Sequence, residues 1–485
     1  MPITRELLIG GKSAPAAGGR TTADTSPSGE LYATVAAASA EDVTAAVDAA
    51  HVQLDSWSAT SPFERRRIFL AAADLLERRI DEVVATMAAE TGSLAGNAMF
   101  NVGLAANILR EAGAAVTAPR GEVLVTGSPG TMSLSVREPL GVVAAFAPWN
   151  EPVILGTRAV AGPLAAGNTV VLKASEEAPI CSGLFIADLL SEAGLPAGVL
   201  NVITNDPADA AVIAQTLIGD ERVRAVNFTG STKVGRIIGT LAAQHLKPAV
   251  LELGGKNAVI VLEDADIDYA VNAAAYSVLA NAGQICMSGD RILVHESCAD
   301  EFTEKFAAKV AQLPPGLPDD PGAAVGPLVN IAAATRVAGL VSDAVTRGAT
   351  VVAGGGAPDG PLHPPTVLRD VPREADLHYA EAFGPICVID TFASDDEAVA
   401  KAGDTDNGLT AGIITENSAH GLAVARRIKT GIVHINDQTV DDEPQAPFGG
   451  FGASGYGRFG GRWAIEAFSN TRWVTMATQH TRYPF

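Results

Sequence analysis

From Gly141 to His245 the chain repeats one unit, a short apolar run followed by a longer run with helical spacing. The runs "GVVAAFA", "NTVVLKA", "VLNVIT" and "VRAVNFTG" alternate with "PVILGTRAVAGPLAAG", "CSGLFIADLLSEAG", "DAAVIAQTLI" and "STKVGRIIGTLAAQH". Apolar runs this short, without polar alternation, are strands buried on both faces, and strands joined by helical crossovers lie parallel. A second series follows Glu252, with strands expected near "NAVIVL", "RILVH", "TVVAGG", "CVIDTF", "TAGIIT" and "GIVHIN" and helices over 298–313 and 332–347. The pattern predicts an α/β fold of two doubly wound, Rossmann-like units that meet near Glu252 to Lys256. A length of 485 residues, too great for one ordinary core, agrees with that division.

Two segments stand outside the alternation. Ser61-Pro62-Phe63-Glu64 reads as a capping box with proline at the first helical position, and Ile68, Ala72, Leu75, Leu76, Val83 and Met87 follow one helix face behind it. Residues 121–139 alternate apolar Met132, Leu134 and Val136 with Ser133, Ser135 and Arg137 around a Gly-Ser-Pro-Gly turn, which predicts a β-hairpin. The expected division is a first domain of 1–120 with 140–251, a second of 252–466, and bridging segments at 121–139 and 467–485.

Charge narrows the partners. Lys plus Arg number 34 against 55 Asp plus Glu, a net charge of −21, which argues against nucleic acid and anionic membranes. No stretch approaches the ~20 apolar residues of a spanning helix, so a soluble cytoplasmic protein is expected.

Ligands of doubly wound sheets lie outside the carboxyl ends of the strands. Four expected ends carry distinctive residues: Pro148-Trp149-Asn150, Lys173-Ala174-Ser175-Glu176, Phe228-Thr229-Gly230-Ser231 and Gly254-Gly255-Lys256. Gly230 and Ser231 open a helix, where free N–H groups favour a phosphate, although a plain strand-to-helix turn explains them equally well. Gly455-Tyr-Gly-Arg-Phe-Gly460 matches G-x-G-x-x-G but follows a loop, so it reads as a decoy. The four cysteines, Cys181, Cys286, Cys298 and Cys387, are too scattered for a zinc site or a disulfide framework. Cys286, in "NAGQICMSGD", remains either core filler or a nucleophile.

The motifs "PWN", "K-x-x-E", "FTGS", "ELGGK", "GQ-x-C", "E-x-FGP" and "PFGG…SG" occur in the order and spacing of the NAD(P)-dependent aldehyde dehydrogenase superfamily. The resemblance covers nearly the whole chain. Within the superfamily, "LKASE", "HLKPAVLELGGK" and the ending "RWVT…YP" are most similar to dehydrogenases of salicylaldehyde, vanillin and benzaldehyde type.

The resemblance implies roles residue by residue. It makes Cys286 the nucleophile, Glu252 the base for thioester hydrolysis, and Asn150, with the Cys286 backbone N–H, the oxyanion donors. It places the cofactor against Trp149, Lys173, Glu176, Gly230, Ser231, Glu381 and Phe383, with acidic Glu176 favouring NAD while leaving NADP open. Arg158 and Tyr456 are the expected substrate contacts, Arg158 meeting a ring hydroxyl or a carboxylate. A salt bridge of Arg158, with Glu151 for example, is the competing role, and a flexible glycine-rich loop competes for Tyr456. No metal is expected. A homodimer or homotetramer, joined through the hairpin and the C-terminal strand, is implied as well.

Rival readings are an aliphatic or semialdehyde dehydrogenase of the same superfamily, a CoA-acylating relative that needs no hydrolytic base, and a binding protein on the same scaffold. Glu252 speaks against the second, and Cys286 with Glu252 against the third.

Overall fold

A computed structural model describes residues 3–480 and 482–485. The larger sheet has eight strands in the order Gly455–Tyr456, Ala249–Glu252, Val223–Thr229, Val142–Phe146, Thr169–Lys173, Leu200–Ile203, Leu7–Ile9 and Lys12–Ala14. Its five central strands are parallel, and the outer ones are antiparallel. The seven-stranded sheet runs Thr350–Ala353, Thr366–Arg369, Ile386–Phe392, Arg291–His295, Ala258–Val261, Thr410–Ile414 and Ile432–Ile435, parallel except at Thr350–Ala353. The α/β, doubly wound class read from the alternation is the class observed.

The order of the larger sheet makes a crevice. Strand Val142–Phe146 lies in the middle; the chain winds outward through Thr169–Lys173 to Leu200–Ile203, then returns to the other side with Val223–Thr229. Register aligns Phe146 with both Lys173 and Phe228, and Thr229 with Glu252. The carboxyl ends of four strands therefore form one line at the point where the winding reverses.

The smaller sheet presents its other edge. Asn257, Asp290 and Pro385 immediately precede its strands Ala258–Val261, Arg291–His295 and Ile386–Phe392. Only residues 253–257 separate Glu252, which ends a strand of one sheet, from Ala258, which begins a strand of the other.

Helix Pro152–Ala166 follows the central strand, and every residue in it except Gly162 is buried. A helix enclosed on all sides must be apolar all round, and Arg158 is its one charged residue. Gly156 meets the backbone of Ser182, since a Cβ there would stand 2.4 Å from the Ser182 carbonyl oxygen.

Two local expectations change, and the expected hairpin gains a third strand. An earlier helix, Ala40–Ser58, carries a true capping box between Ser39 and Asp42, whereas Ser61 makes no side-chain cap to helix Pro62–Arg78. The face running from Ile68 to Met87 is split between Pro62–Arg78 and Ile80–Thr91. The hairpin strands Gly121–Leu124 and Thr131–Pro139 form a three-stranded antiparallel sheet with Ser469–Ala477. Among the described residues no helix is long and apolar enough to cross a membrane.

Candidate active site

Cys286 lies in a tight loop whose backbone is strained. Asn281, Ala282 and Gly283 all have positive φ, at 46°, 55° and 72°, and for Ala282 the left-handed region is unfavourable. Gly283 is required there, because a Cβ would lie 2.2 Å from the Gly384 carbonyl oxygen. The loop is held by polar bonds on every side. The Asn281 side-chain amide donates to the Asn150 carbonyl at 2.8 Å, the Asn150 amide donates to the Gln284 carbonyl at 2.9 Å, and the Val329 N–H donates to the Gln284 side-chain oxygen at 2.8 Å. Asn150 is thus fixed beside the cysteine loop, with a second amide hydrogen on its nitrogen still to donate.

Glu252 is 1 % exposed, and neither carboxyl oxygen has a hydrogen-bond partner. Burial pushes its carboxyl up to about 8; Arg158 opposes this, Glu381 and Asp442 add to it, and the nearby Cys286 thiol favours the ionised form. Burial, followed by Glu252 and Glu381, likewise pushes the partly exposed Cys286 thiol well above its ordinary value. A buried carboxyl with no partner beside a thiol is unlike a structural carboxylate, which would be bonded.

The two glycines after Leu253 allow this closeness. A Cβ on Gly254 would lie 2.2 Å from a carboxylate oxygen of Glu381, and one on Gly255 would lie 2.6 Å from the Cys286 carbonyl oxygen. The Gly255 N–H donates to Glu381 at 3.0 Å. Burial, with a contribution from Asp290, pushes the Glu381 carboxyl up to about 7. Trp149, past the central strand, meets Phe383 edge-on at 5.5 Å between ring centroids.

At the crevice, Lys173 and Glu176 form an ion pair, and the Asn205 amide donates to Glu176 at 3.0 Å. Ser231 caps helix Thr232–Gln244 by accepting from the Val234 N–H, and Gly230 is packed so closely on Phe228 that a Cβ would stand 2.7 Å from the ring. A helix start kept free of side-chain bulk, beside a buried lysine and an acidic residue, fits a dinucleotide: N–H groups for phosphate and a carboxylate for ribose hydroxyls.

Arg158 and Tyr456 fall differently. Arg158 forms a buried ion pair with Asp442, their side chains 7 % and 5 % exposed, and its guanidinium lies 4.5 Å from the Phe448 ring centroid. Its partner is not Glu151, which is held by the amides of Asn97 and Asn101. Tyr456 is opposite Leu251, one residue from Glu252 along the strand, so its ring lies on the other face of the sheet. Its hydroxyl lies 3.4 Å from where a Gly239 Cβ would stand, against helix Thr232–Gln244. Tyr456 therefore does not line the entrance to Cys286. The loop around it, Gly455 to Gly460, closes the sheet edge beside Glu252 and starts no phosphate-binding helix after a parallel strand.

Sequence reasoning missed Asp442 and Asn257. Asn257 donates to the carbonyls of Cys286 and Ser288; its place directly after "ELGGK" was the available signal. A cleft of about 660 Å³ runs past Asn97, Tyr276 and Asn281, and neither Cys286 nor Glu252 lines it. Convergent side chains, and not cavity size, mark the site.

Comparison with known proteins follows the same lines. The family described as "Aldehyde dehydrogenase family" matches residues 15–474. The chain is 49% identical over 479 residues to a vanillin dehydrogenase of Pseudomonas fluorescens, covering 99% of both chains. It is 43% identical to a salicylaldehyde dehydrogenase of Pseudomonas putida, covering 94% of this chain and 95% of that one. The crystal structure of a salicylaldehyde dehydrogenase from Pseudomonas putida G7, complexed with salicylaldehyde, superimposes with a TM-score of 0.97 at 40% identity over 100% of both chains.

Proposed function

The chain belongs to the aldehyde dehydrogenase family, and from that premise we propose that it oxidises an aromatic aldehyde to the carboxylic acid with NAD as cofactor. The observation that carries the reading is the unpartnered, buried Glu252 carboxyl beside the Cys286 thiol.

Glu252 draws the proton from Cys286, and the thiolate sulfur adds to the aldehyde carbon. The Asn150 amide and the Cys286 N–H donate to the oxygen that becomes negative. When bound, the nicotinamide supplies the acceptor for the hydride. Once that first proton has passed to solvent, Glu252 takes a proton from water, the water oxygen bonds to the acyl carbon of the Cys286 thioester, the carbon–sulfur bond breaks to release the acid, and the proton on Glu252 returns to the Cys286 thiolate. Because the base has no other partner, it is free to act twice in one turnover.

Residues 1–120 with 140–251 bind the cofactor in this reading, and 252–466 carry the nucleophile. Gly230, Ser231 and the start of helix Thr232–Gln244 hold the pyrophosphate, Lys173 and Glu176 the adenosine ribose, Glu381 the nicotinamide ribose, and Trp149 and Phe383 flank the nicotinamide. Glu176 favours NAD, since its carboxylate bonds two ribose hydroxyls and repels a 2′-phosphate. An aromatic substrate is favoured by the vanillin and salicylaldehyde dehydrogenases that the chain resembles over nearly its full length.

The test is a product assay with NAD and benzaldehyde, with and without CoA. Free benzoate at an unchanged rate in both is expected; benzoyl-CoA formed only with CoA would make the protein an acyl-transferring relative. The three-stranded sheet of 121–124, 131–139 and 469–477 serves, in the same proposal, to join subunits into a homodimer or homotetramer.

A further inference from the structure

A cation near the reacting atoms would ordinarily recruit an anion, and Arg158 is such a cation, its charge felt at both Cys286 and Glu252. It stands on a helix whose other side chains are uncharged, two turns beyond Asn150, and stacks on Phe448, which belongs to the apolar cluster that Cys286 packs against. A free guanidinium there would take a carboxylate in a two-pronged bond. Asp442 already occupies it: the pair is buried, and one nitrogen of the guanidinium is committed to one carboxylate oxygen.

The rest of the site adds no free positive charge. The groups that bear most strongly on Cys286 and Glu252 are the carboxyls of Glu381 and Asp442 and the Arg158 guanidinium. Lys256, near Glu381, is paired with Asp290 at 3.3 Å and donates to the Ala380 carbonyl at 2.7 Å. Arg336 donates to the Ala382 and Phe383 carbonyls at 2.6 and 3.2 Å. One donor and one acceptor of the ion pair, Arg158 Nη1 and Asp442 Oδ1, are buried with no partner. A hydroxyl both donates and accepts, so one brought against the pair would satisfy both atoms, whereas a carboxylate would offer no donor to Asp442 and would meet its charge.

We propose that Asp442 is a specificity-determining residue: by holding Arg158 in a buried ion pair near Cys286 and Glu252, it bars aldehydes that carry a carboxylate and admits neutral, hydroxyl-bearing rings. The inference rests on the aldehyde-oxidising reading above and deepens it, because it separates ring aldehydes from semialdehydes that bear an acid group. It also decides between the two partners, ring hydroxyl or carboxylate, that the sequence leaves open for Arg158.

Two ring aldehydes of similar shape and different charge, methyl 4-formylbenzoate and 4-carboxybenzaldehyde, test it with the purified enzyme and NAD. The wild-type enzyme is expected to prefer the neutral ester in kcat/KM by at least about tenfold, because specificity is a difference between two interaction energies. D442N frees the guanidinium charge and should shrink that preference by about tenfold or more; R158Q/D442N, with neither charge, should restore it. Melting curves and benzaldehyde turnover establish that each variant is folded, and the wild-type comparison decides alone if D442N does not fold. Equal use of ester and acid by the wild-type enzyme, or an unchanged preference in folded D442N, overturns the inference. Failure of the wild-type enzyme on benzaldehyde itself would instead overturn the aromatic reading and the inference with it, so the two failures are told apart.

Discussion

The side-chain amide of Asn257 donates to the carbonyl of Cys286 at 2.8 Å and, with its other hydrogen, to that of Ser288 at 2.9 Å. Asn257 is 3 % exposed and lies two residues after Gly255, just before strand Ala258–Val261, so the Cys286 loop is clamped to the chain that carries Glu252. Asn257→Ala leaves buried carbonyls without a donor, at a cost of about 1–3 kcal/mol. The expected result is a lower melting temperature and a slower first turnover. Asn257→Asp, which keeps the shape and loses the donor, should slow it similarly. Rapid-mixing traces that match wild type for both variants would remove Asn257 from the positioning of Cys286.

Removing the base separates the two halves of the reaction. Hydride departs before water is needed, so Glu252→Gln is expected to release at most about one NADH per site and then stall, with an acyl group on Cys286 by mass spectrometry. A fast external buffer base helps draw the thiol proton in that variant, so the burst is read at alkaline pH. Cys286→Ala should give neither burst nor adduct. Asn150→Ala should slow the burst itself about 10²-fold, the usual loss for one oxyanion donor. Sustained turnover by Glu252→Gln would assign the water to another group.

The pH dependence follows from the same carboxyl. Burial raises Glu252 from 4.5 to about 8, so its base form develops only as pH rises through that value. Steady-state kcat should climb across this range in wild type and stay low and flat in Glu252→Gln. Stability moves the opposite way. The folded state binds the Glu252 proton more tightly than the unfolded chain, so between those two pKa values this group's contribution falls as pH rises. Glu252→Gln should therefore gain on wild type in urea melts as the buffer is taken from acid to alkaline. A difference between the two proteins that does not change with pH would mean that the carboxyl titrates normally.

Of the fold and the site, the larger sheet was the most legible. Its strands are buried on both faces and written as uninterrupted apolar runs, and its ligand-bearing ends follow the carboxyl-end rule, so Asn150, Lys173, Glu176, Gly230 and Glu252 stand out in the amino-acid sequence alone. The smaller sheet meets the site with the amino ends of its strands. That rule says nothing about Cys286 and Glu381, and only their motifs marked them. Arg158 and Asp442 are 284 residues apart, and no local pattern encodes an ion pair of that range. Tyr456 was misplaced because a two-residue strand fixes which face it takes, and two residues are too few for alternation to be read. Strands Leu7–Ile9 and Lys12–Ala14, three residues each, are likewise too short for alternation to be read.

The three-stranded sheet of the hairpin and C-terminal strand exposes apolar side chains that a lone subunit would leave in water. Val123 is 80 % exposed, Trp473 72 % and Met476 55 %. Val123 and Met476 share one face of this sheet and Trp473 lies on the other, and exposed apolar side chains on edge strands are an association surface or an aggregation hazard. Sedimentation at micromolar concentration is expected to give a dimer or tetramer. Val123→Glu with Trp473→Glu should shift it toward monomer; a wild-type monomer would refute the proposed assembly.

The loop that carries Asp442 lies outside every strand and helix, between strand Ile432–Ile435 and the bridge at Phe448. The reacting groups, by contrast, are fixed at strand ends and in a clamped turn. If Asp442 sets selectivity as proposed, it does so from a loop outside the regular elements, and one residue of that loop, buried Thr439, also donates to the Met287 carbonyl next to Cys286. A directed library over residues 437–447 that spares Thr439 is therefore a short route to a changed substrate range, since it leaves Cys286 and Glu252 in place.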